Sequence, residues 1–257
     1  MITFPNAKIN IGLFVTQKRT DGYHELETIF YPVKNHKDAL EMVPATNGVT
    51  KMNVSGLAVA GNPTDNLVWK AYHLIQSKLN SVLPPLDIYL HKAIPMGAGL
   101  GGGSADGAFM LTMLNEAYHL KQDTATLCDW ALELGSDCPF FIKNTPQYAT
   151  GRGEVMQAIS LDLSGYEIKI ITPGIHVATK DAFHQITPQP AAFDLRTLSV
   201  ADIAQWKQYV QNDFEKTVFS KHPTLQEIKN KLYEDGALYA SMSGTGSAIY
   251  GIFEASK

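Results

Sequence analysis

Cysteine is scarce: Cys128 and Cys138 are the only two in 257 residues. Their spacing fits neither a zinc knuckle nor a redox pair, so both read as small buried hydrophobes and no disulfide framework is expected. Long apolar runs are missing too, and no stretch is long enough to cross a bilayer. The opening Met1-Ile2-Thr3-Phe4-Pro5-Asn6 lacks the charged region and apolar core of a secretory signal, so a cytoplasmic protein is expected. There is no surplus of positive charge. The formal net charge is -4 and no basic run occurs, which argues against nucleic acid as a partner. The histidines show no HExxH or other ligand spacing, so no metal site held by protein alone is expected. Repeats and low-complexity blocks are absent.

What remains is an ordinary globular composition, 45% hydrophobic and 18% charged, in a chain long enough for one large domain or two modest ones. Ile9, Ile11, Leu13 and Val15 alternate with polar or small neighbours and predict a strand. Arg19-Thr20-Asp21-Gly22 follows as a turn. Strands are predicted at Glu27–Val33, Ala39–Val43 and Leu86–Leu90, and a helix from Asp65 or Asn66 to about Leu79. After Ser104 the apolar arc Ala105, Ala108, Phe109, Leu111, Leu114 predicts a buried helix. Thr124–Leu134 reads as a helix capped by Asp123 or Thr124 and ended by Gly135. Later come a strand at Ile168–Ile171, a short helix after Thr179, and a proline-rich loop from Thr187 to Leu198. Helices near Val200–Gln211 and Thr224–Glu234 follow, then two strands flanking Ser243–Ser247. A domain boundary is placed near Gly153, giving domains 1–153 and 154–257.

The most informative segment is Pro95-Met96-Gly97-Ala98-Gly99-Leu100-Gly101-Gly102-Gly103-Ser104, five glycines between a strand and a helix. Backbone without side chains can approach an anion closely, and the following helix adds free N–H groups and the positive end of its dipole. Ser104 can cap that helix or offer its hydroxyl to a phosphate or a magnesium ion. The segment is not a GxxxxGK[ST] loop, since Gly103 stands where the lysine belongs. Gly97–Gly102 does satisfy GxGxxG, the basis of an alternative reading as a nicotinamide-dependent oxidoreductase. That fingerprint expects an acidic residue closing a second strand about 20 residues on, and here the position falls near Asp123, between two helices.

Other candidates are each ambiguous alone. Asp137, bracketed by Gly135 and Pro139, is either a turn or cap residue or a carboxylate aimed at a reacting hydroxyl. Lys8 lies in an apolar strand, where a charge is costly unless paired or functional; it sits either on a solvated face or beside a carboxylate whose pKa it lowers. Asp21-Gly22-Tyr23-His24 is a surface turn, or a turn that offers an aromatic ring and an imidazole to a ligand. Ser243-Gly244-Thr245-Gly246-Ser247 is a tight hairpin, or a second glycine loop that buttresses the first.

Taken together, these segments resemble the GHMP kinase superfamily. The matching text is Pro5-Asn6-Ala7-Lys8-Ile9-Asn10-Ile11-Gly12-Leu13, Arg19–His24, Asp65-Asn66-Leu67-Val68, the Pro95–Ser104 loop and Leu134–Pro139. Gly151-Arg152-Gly153-Glu154, Asn212-Asp213-Phe214-Glu215 and Ser243–Ser247 complete it, so nearly the whole chain is covered. The resemblance implies an α+β, two-domain fold. Its first domain is ribosomal-protein-S5-domain-2-like, its second ferredoxin-like, and its active site lies in the cleft between them. It implies transfer of ATP's γ-phosphate, with magnesium as Mg-ATP, to the tertiary 2-hydroxyl of a methylerythritol acceptor bearing a cytidine diphosphate, in non-mevalonate isoprenoid synthesis. Asp137 is then the base, or a group that positions the acceptor, and Lys8 its charged partner. Pro95–Ser104 with Ala105 binds ATP, and Ser104 is the candidate magnesium contact. Asn10, Tyr23, His24, Thr179 and Phe183 serve the acceptor, Tyr23 and Phe183 sandwiching the cytosine and His24 reading its polar edge. Ser243, Gly244, Thr245 and Gly246 support the loop. Two departures stand out. Ala98 and Ala105 replace residues often glycine and serine, and the chain stops at Lys257, before the family's usual end, which raises the expectation of an open sheet edge.

Overall fold

The structure is a computed structural model that describes residues 1–59, 61–79, 83–183 and 186–255. In chain order it opens with strands β1 (Ile2–Thr3), β2 (Asn6–Lys18), β3 (His24–Lys37), β4 (Ala39–Pro44) and β5 (Lys51–Gly56). Helix α1 (Leu67–Leu79), strand β6 (Leu86–Lys92) and helices α2 (Gly102–Ala117), α3 (Thr124–Leu134) and α4 (Cys138–Lys143) follow. Then come β7 (Gln147–Thr150), β8 (Val155–Ala158), β9 (Tyr166–Ile171) and helices α5 (Thr179–Phe183), α6 (Ile203–Trp206), α7 (Phe214–Lys221) and α8 (Pro223–Glu234). Strands β10 (Tyr239–Met242) and β11 (Ile249–Glu254) close the order.

Compactness divides the chain otherwise than a single cut near Gly153. One unit comprises residues 1–7, 33–96 and 101–145; the other comprises 8–32, 97–100 and 146–257. The division is discontinuous because β2 and β3, early in the sequence, share a sheet with β7 and β8, on either side of Gly153.

In the first unit a sheet of order β1-β4-β6-β5 is backed by helices. Strand β6 is its template: Leu86, Ile88 and Leu90 are buried and alternate with less buried Asp87, Tyr89 and His91, the period of a half-buried strand. Strand β5 pairs parallel to β6, with α1 as the crossover. Asn66 caps α1, its Oδ1 accepting from Val68 N at 2.9 Å. Asp123 caps α3 through Thr126 N at 2.8 Å. Helix α2 buries Ala105, Ala108, Leu111 and Leu114 of the predicted arc, while Phe109 is only partly buried and Met110 is buried instead.

In the second unit the sheet β2-β3-β7-β8 accompanies a sheet of order β10-β11-β9. Phe214, Val218, Leu225, Leu232, Met242 and Ile249 form its core. Strand β11 is paired on both sides, so the last strand is not an edge. The expected helix over Val200–Gln211 is shorter. A 3-10 turn at Val200–Asp202 leads into α6, and Trp206 Nε1 donates back to Ser199 O at 3.1 Å. Helix α7 was not anticipated.

Candidate active site

In the first unit the glycine segment runs straight into α2, which begins at Gly102, two residues before Ser104. Gly101 is its N-cap, with φ 70° and ψ 15°. The first intrahelical bond runs from Ala105 N to Gly101 O at 2.9 Å, so the N–H groups of Gly102, Gly103 and Ser104 head the helix without an intrahelical acceptor. Such a terminus favours an anion. Ala105 is fully buried beneath this turn, so the side chain there faces the core.

Both ends of this turn are held by three buried ionisable side chains. Lys92, at the end of β6, donates to Asp38 Oδ2 and to Asp106 Oδ2, the latter at 2.6 Å. Asp38 Oδ1 also accepts from Ala93 N at 2.6 Å and Ile94 N at 2.8 Å, fixing the chain as it leaves the strand. Asp106 lies on α2, so Lys92 ties the strand before the glycines to the helix after them. Burial pushes the Asp106 carboxyl up to about 8; Lys92 opposes the shift and Asp38 adds to it. A Cβ on Gly102 would stand 2.8 Å from Ile94 Cγ2 and 3.3 Å from the Lys92 ammonium, which accounts for that glycine by space alone.

Beside this turn lies a cavity of about 500 Å³, with Met52, Val54, Leu57, Asn66, Met96 and Gly103 among its walls and Lys92 and Asp106 at its lining. Its apolar faces and few polar groups suit a flat heterocycle. Asp137 is half-buried and occupies the N-cap position of α4, and its side chain makes no capping bond.

In the second unit the remaining part of the glycine segment, 97–100, is buttressed by the Ser243–Ser247 loop. Ser243 Oγ donates to Gly99 O at 2.8 Å and accepts from Asn10 N at 3.2 Å, while Ala248 N donates to Ala98 O at 3.1 Å. Gly99, at φ 78°, has no room for a side chain: a Cβ would stand 2.0 Å from Ser243 O. Of the two readings of Ser243–Ser247, the buttress is what the structure has, and it sits on a hairpin. The Asn212–Glu215 segment holds this loop in turn. Asn212 Nδ2 donates to Met242 O and Gly244 O at 2.8 Å each, and Glu215 Oε1 accepts from Met242 N at 2.8 Å.

Lys8 is 4% exposed, so the solvated-face reading is set aside. Its ammonium donates to Asn10 Oδ1 at 2.5 Å and sits 4.7 Å from the centre of the Phe30 ring. Its backbone N–H donates to Leu100 O at 2.9 Å, so strand β2 touches the glycine segment directly. Asn10 Nδ2 donates to Thr28 Oγ1 at 3.1 Å.

Among the acceptor candidates, His24 stacks on Phe183, ring centres 4.9 Å apart and 24° between planes. Phe183 also meets Phe214 edge-on at 4.7 Å. Burial, and then Lys18, hold the His24 pKa below its ordinary value, favouring the neutral ring. Tyr23 is 55% exposed and lies under the Arg152 guanidinium, 4.8 Å from it. Thr179 opens α5 and is exposed. Sequence reasoning missed Asp38, Lys92 and Asp106 as a set. The signal available was a lysine ending an apolar strand and an aspartate inside an otherwise apolar helical arc. Asp123, where a dinucleotide fold would need its ribose ligand, is occupied as the cap of α3, which removes the oxidoreductase reading.

Comparison with known proteins agrees with this geometry. Residues 66–144 match the GHMP kinases N terminal domain and 195–257 the GHMP kinases C terminal domain, which sets the chain among the GHMP kinases. It is 49% identical over 255 residues to the 4-diphosphocytidyl-2-C-methyl-D-erythritol kinase of Bacteroides fragilis, covering 98% of this chain and 92% of that one. The kinase of the same name from Parabacteroides distasonis is 46% identical, covering 99% and 92%. A crystal structure of 4-(cytidine 5'-diphospho)-2C-methyl-D-erythritol kinase superposes with TM-score 0.80 at 31% identity, covering 98% of this chain and 90% of that one. The chain belongs to the 4-diphosphocytidyl-2-C-methyl-D-erythritol kinase family of the GHMP kinases. Among the described residues no helix is long and apolar enough to cross a membrane.

Proposed function

We propose that this protein transfers the γ-phosphate of ATP to the 2-hydroxyl of 4-diphosphocytidyl-2-C-methyl-D-erythritol, giving the 2-phosphate and ADP, as a cytoplasmic step of non-mevalonate isoprenoid synthesis. The observation that carries the reading is the glycine segment itself. Its helix end is fixed by Lys92, Asp38 and Asp106, and its 97–100 stretch by Ser243 and Ala248. A phosphate cradle must be preorganised, because phosphoryl transfer is positioning and charge neutralisation more than covalent chemistry.

In this reading the ATP phosphates rest on the free N–H groups of Gly102–Ser104 and the segment before them, and the adenine fills the adjoining cavity. Among the described residues no cluster of three or more acidic, histidine or cysteine side chains could hold a metal. Magnesium would arrive carried on the nucleotide, with the Ser104 hydroxyl as its contact from the chain. When bound, that ion neutralises charge on the β- and γ-phosphates.

Asp137 takes the proton of the acceptor hydroxyl as its oxygen bonds to the γ-phosphorus and the bond to the ADP oxygen breaks. Lys8 serves the reaction as its buried cation, held in line by Asn10 and Phe30. Tyr23 and Phe183 take the cytosine faces, the base replacing the His24 ring that stacks on Phe183 in this structure. His24, kept neutral, both donates to and accepts from the edge of the base, and Thr179 and Asn10 complete the acceptor contacts.

A coupled ADP-release assay with a panel of acceptors tests this directly. Turnover is expected with the cytidine-bearing acceptor and not with mevalonate or homoserine; the opposite pattern would overturn the assignment.

A further inference from the structure

The Gly151-Arg152-Gly153-Glu154 segment has no part in the reaction as laid out above. In the structure it is the turn of the β7–β8 hairpin, following the Thr150↔Val155 pair. Gly151 and Gly153 adopt φ 71° and 104°, a region other residues enter only with strain. Leu26 N donates to Gly151 O at 2.7 Å and Gly153 N to Thr150 O at 3.0 Å, so the turn is tied to β3 two residues beyond His24. Arg152 is thereby aimed at one place, the face of the exposed Tyr23 ring.

The guanidinium is held there loosely. Its Nε stands 3.6 Å from Glu154 Oε1, beyond hydrogen-bond reach, while Glu154 Oε2 accepts from the Arg152 backbone N–H. Asp21 also feels its charge, but that carboxylate is engaged by Arg19 and by Tyr23 N, at 3.0 Å and 3.1 Å. Arg19 in turn is engaged by Asp21 and Glu25. Lys18, the other nearby cation, is an exposed ammonium at the end of β2. Neither Nη atom of Arg152 makes a hydrogen bond among the described residues. The result is a planar cationic fork, stacked in place with its donor edge open, beside an aromatic ring with one face covered. Stacked arginine is the side chain best shaped for bidentate contact with phosphate.

We infer that Arg152 is a specificity residue for the acceptor: its guanidinium takes the diphosphate of a cytidine diphosphate, and Tyr23, covered on one face by Arg152, offers the other to the pyrimidine. This rests on the functional reading above, whose acceptor carries that diphosphate. Covering one face of Tyr23 also fixes the ring before the base arrives, which lowers the ordering cost of stacking.

Affinities of CDP and of cytidine, measured as competitive inhibitors against the acceptor, test it in wild type, Arg152→Ala and Arg152→Lys. CDP is expected to bind wild type at least about tenfold tighter than cytidine, an advantage that declines with added salt. In Arg152→Ala the ratio should fall to about twofold, with cytidine's own affinity moving less than about threefold. Arg152→Lys should restore part of the ratio, and KM for the acceptor should rise in Arg152→Ala more than kcat falls. An unchanged ratio, or equal weakening of CDP and cytidine, overturns the inference and leaves Arg152 as a prop for Tyr23. Failure of the wild type to turn over the cytidine-bearing acceptor is a separate result, and it overturns the functional reading instead.

Discussion

Two buried lysines, Lys8 on β2 and Lys92 on β6, have nearly the same sequence setting and different surroundings. Each is a charge in an apolar strand, and each contacts the glycine segment or its flanks: Lys8 through its backbone bond to Leu100, Lys92 through Asp106 on α2. Lys92 donates to two carboxylates, and the second oxygen of Asp38 is used on backbone. That is a scaffold joint. Lys8, on β2, donates to the amide oxygen of Asn10 and sits over the face of Phe30. In the proposed reaction Lys8 serves the chemistry, whereas Lys92 ties β6 to α2 around the glycine segment.

The largest effect expected falls on the chemistry itself. Asp137→Asn should lower kcat by about 100- to 10,000-fold with ATP binding retained; near-normal turnover would remove Asp137 as the base. On the scaffold side, Lys92→Met leaves two carboxylates facing each other in the interior. It should cost about 3–5 kcal/mol of folding stability, a fall in Tm of about 10 °C, readable by calorimetry. An unchanged Tm would show that the joint carries no load. Gly99→Ala drives a methyl into Ser243 O, so KM for ATP should rise while the acceptor KM stays put; equal changes in both would argue against a loop-specific effect. The smallest effect concerns pH. With its pKa lowered by burial and Lys18, His24 takes up its proton at a lower pH than an ordinary imidazole, so acceptor KM should rise on acidification with a midpoint below 6.5. A KM that rises with a midpoint near 6.5 or above would contradict the buried, neutral ring.

Much of this was legible in the residues. Strands β2, β4 and β6 announce themselves by alternation, and α1 and α3 by Asn66, Asp123 and Gly135. The segments that escaped share a physical cause. Lys51–Gly56 has mostly exposed, polar side chains and becomes a strand only because β6 offers its edge. The β7–β8 hairpin is built from four-residue strands, too short for a period to show. Helix α4 starts at Cys138-Pro139, where proline reads as a stop although it also suits a first helical turn. At the site, the residues with a motif around them were found and those without were not. Lys92, Asp38 and Asp106 are 38 or more residues into the chain, spread across a strand, a loop and a helix, and only folding makes them one group.

Lys8 against Lys92 is the direct measurement of the division between chemistry and support. Turnover and Tm are to be recorded side by side for Lys8→Met and Lys92→Met. The account predicts that Lys8→Met loses kcat by at least about 100-fold with Tm within a few degrees of wild type, while in Lys92→Met the loss of Tm leads. A Lys8→Met enzyme that keeps its turnover, or that simply unfolds as Lys92→Met does, would contradict it.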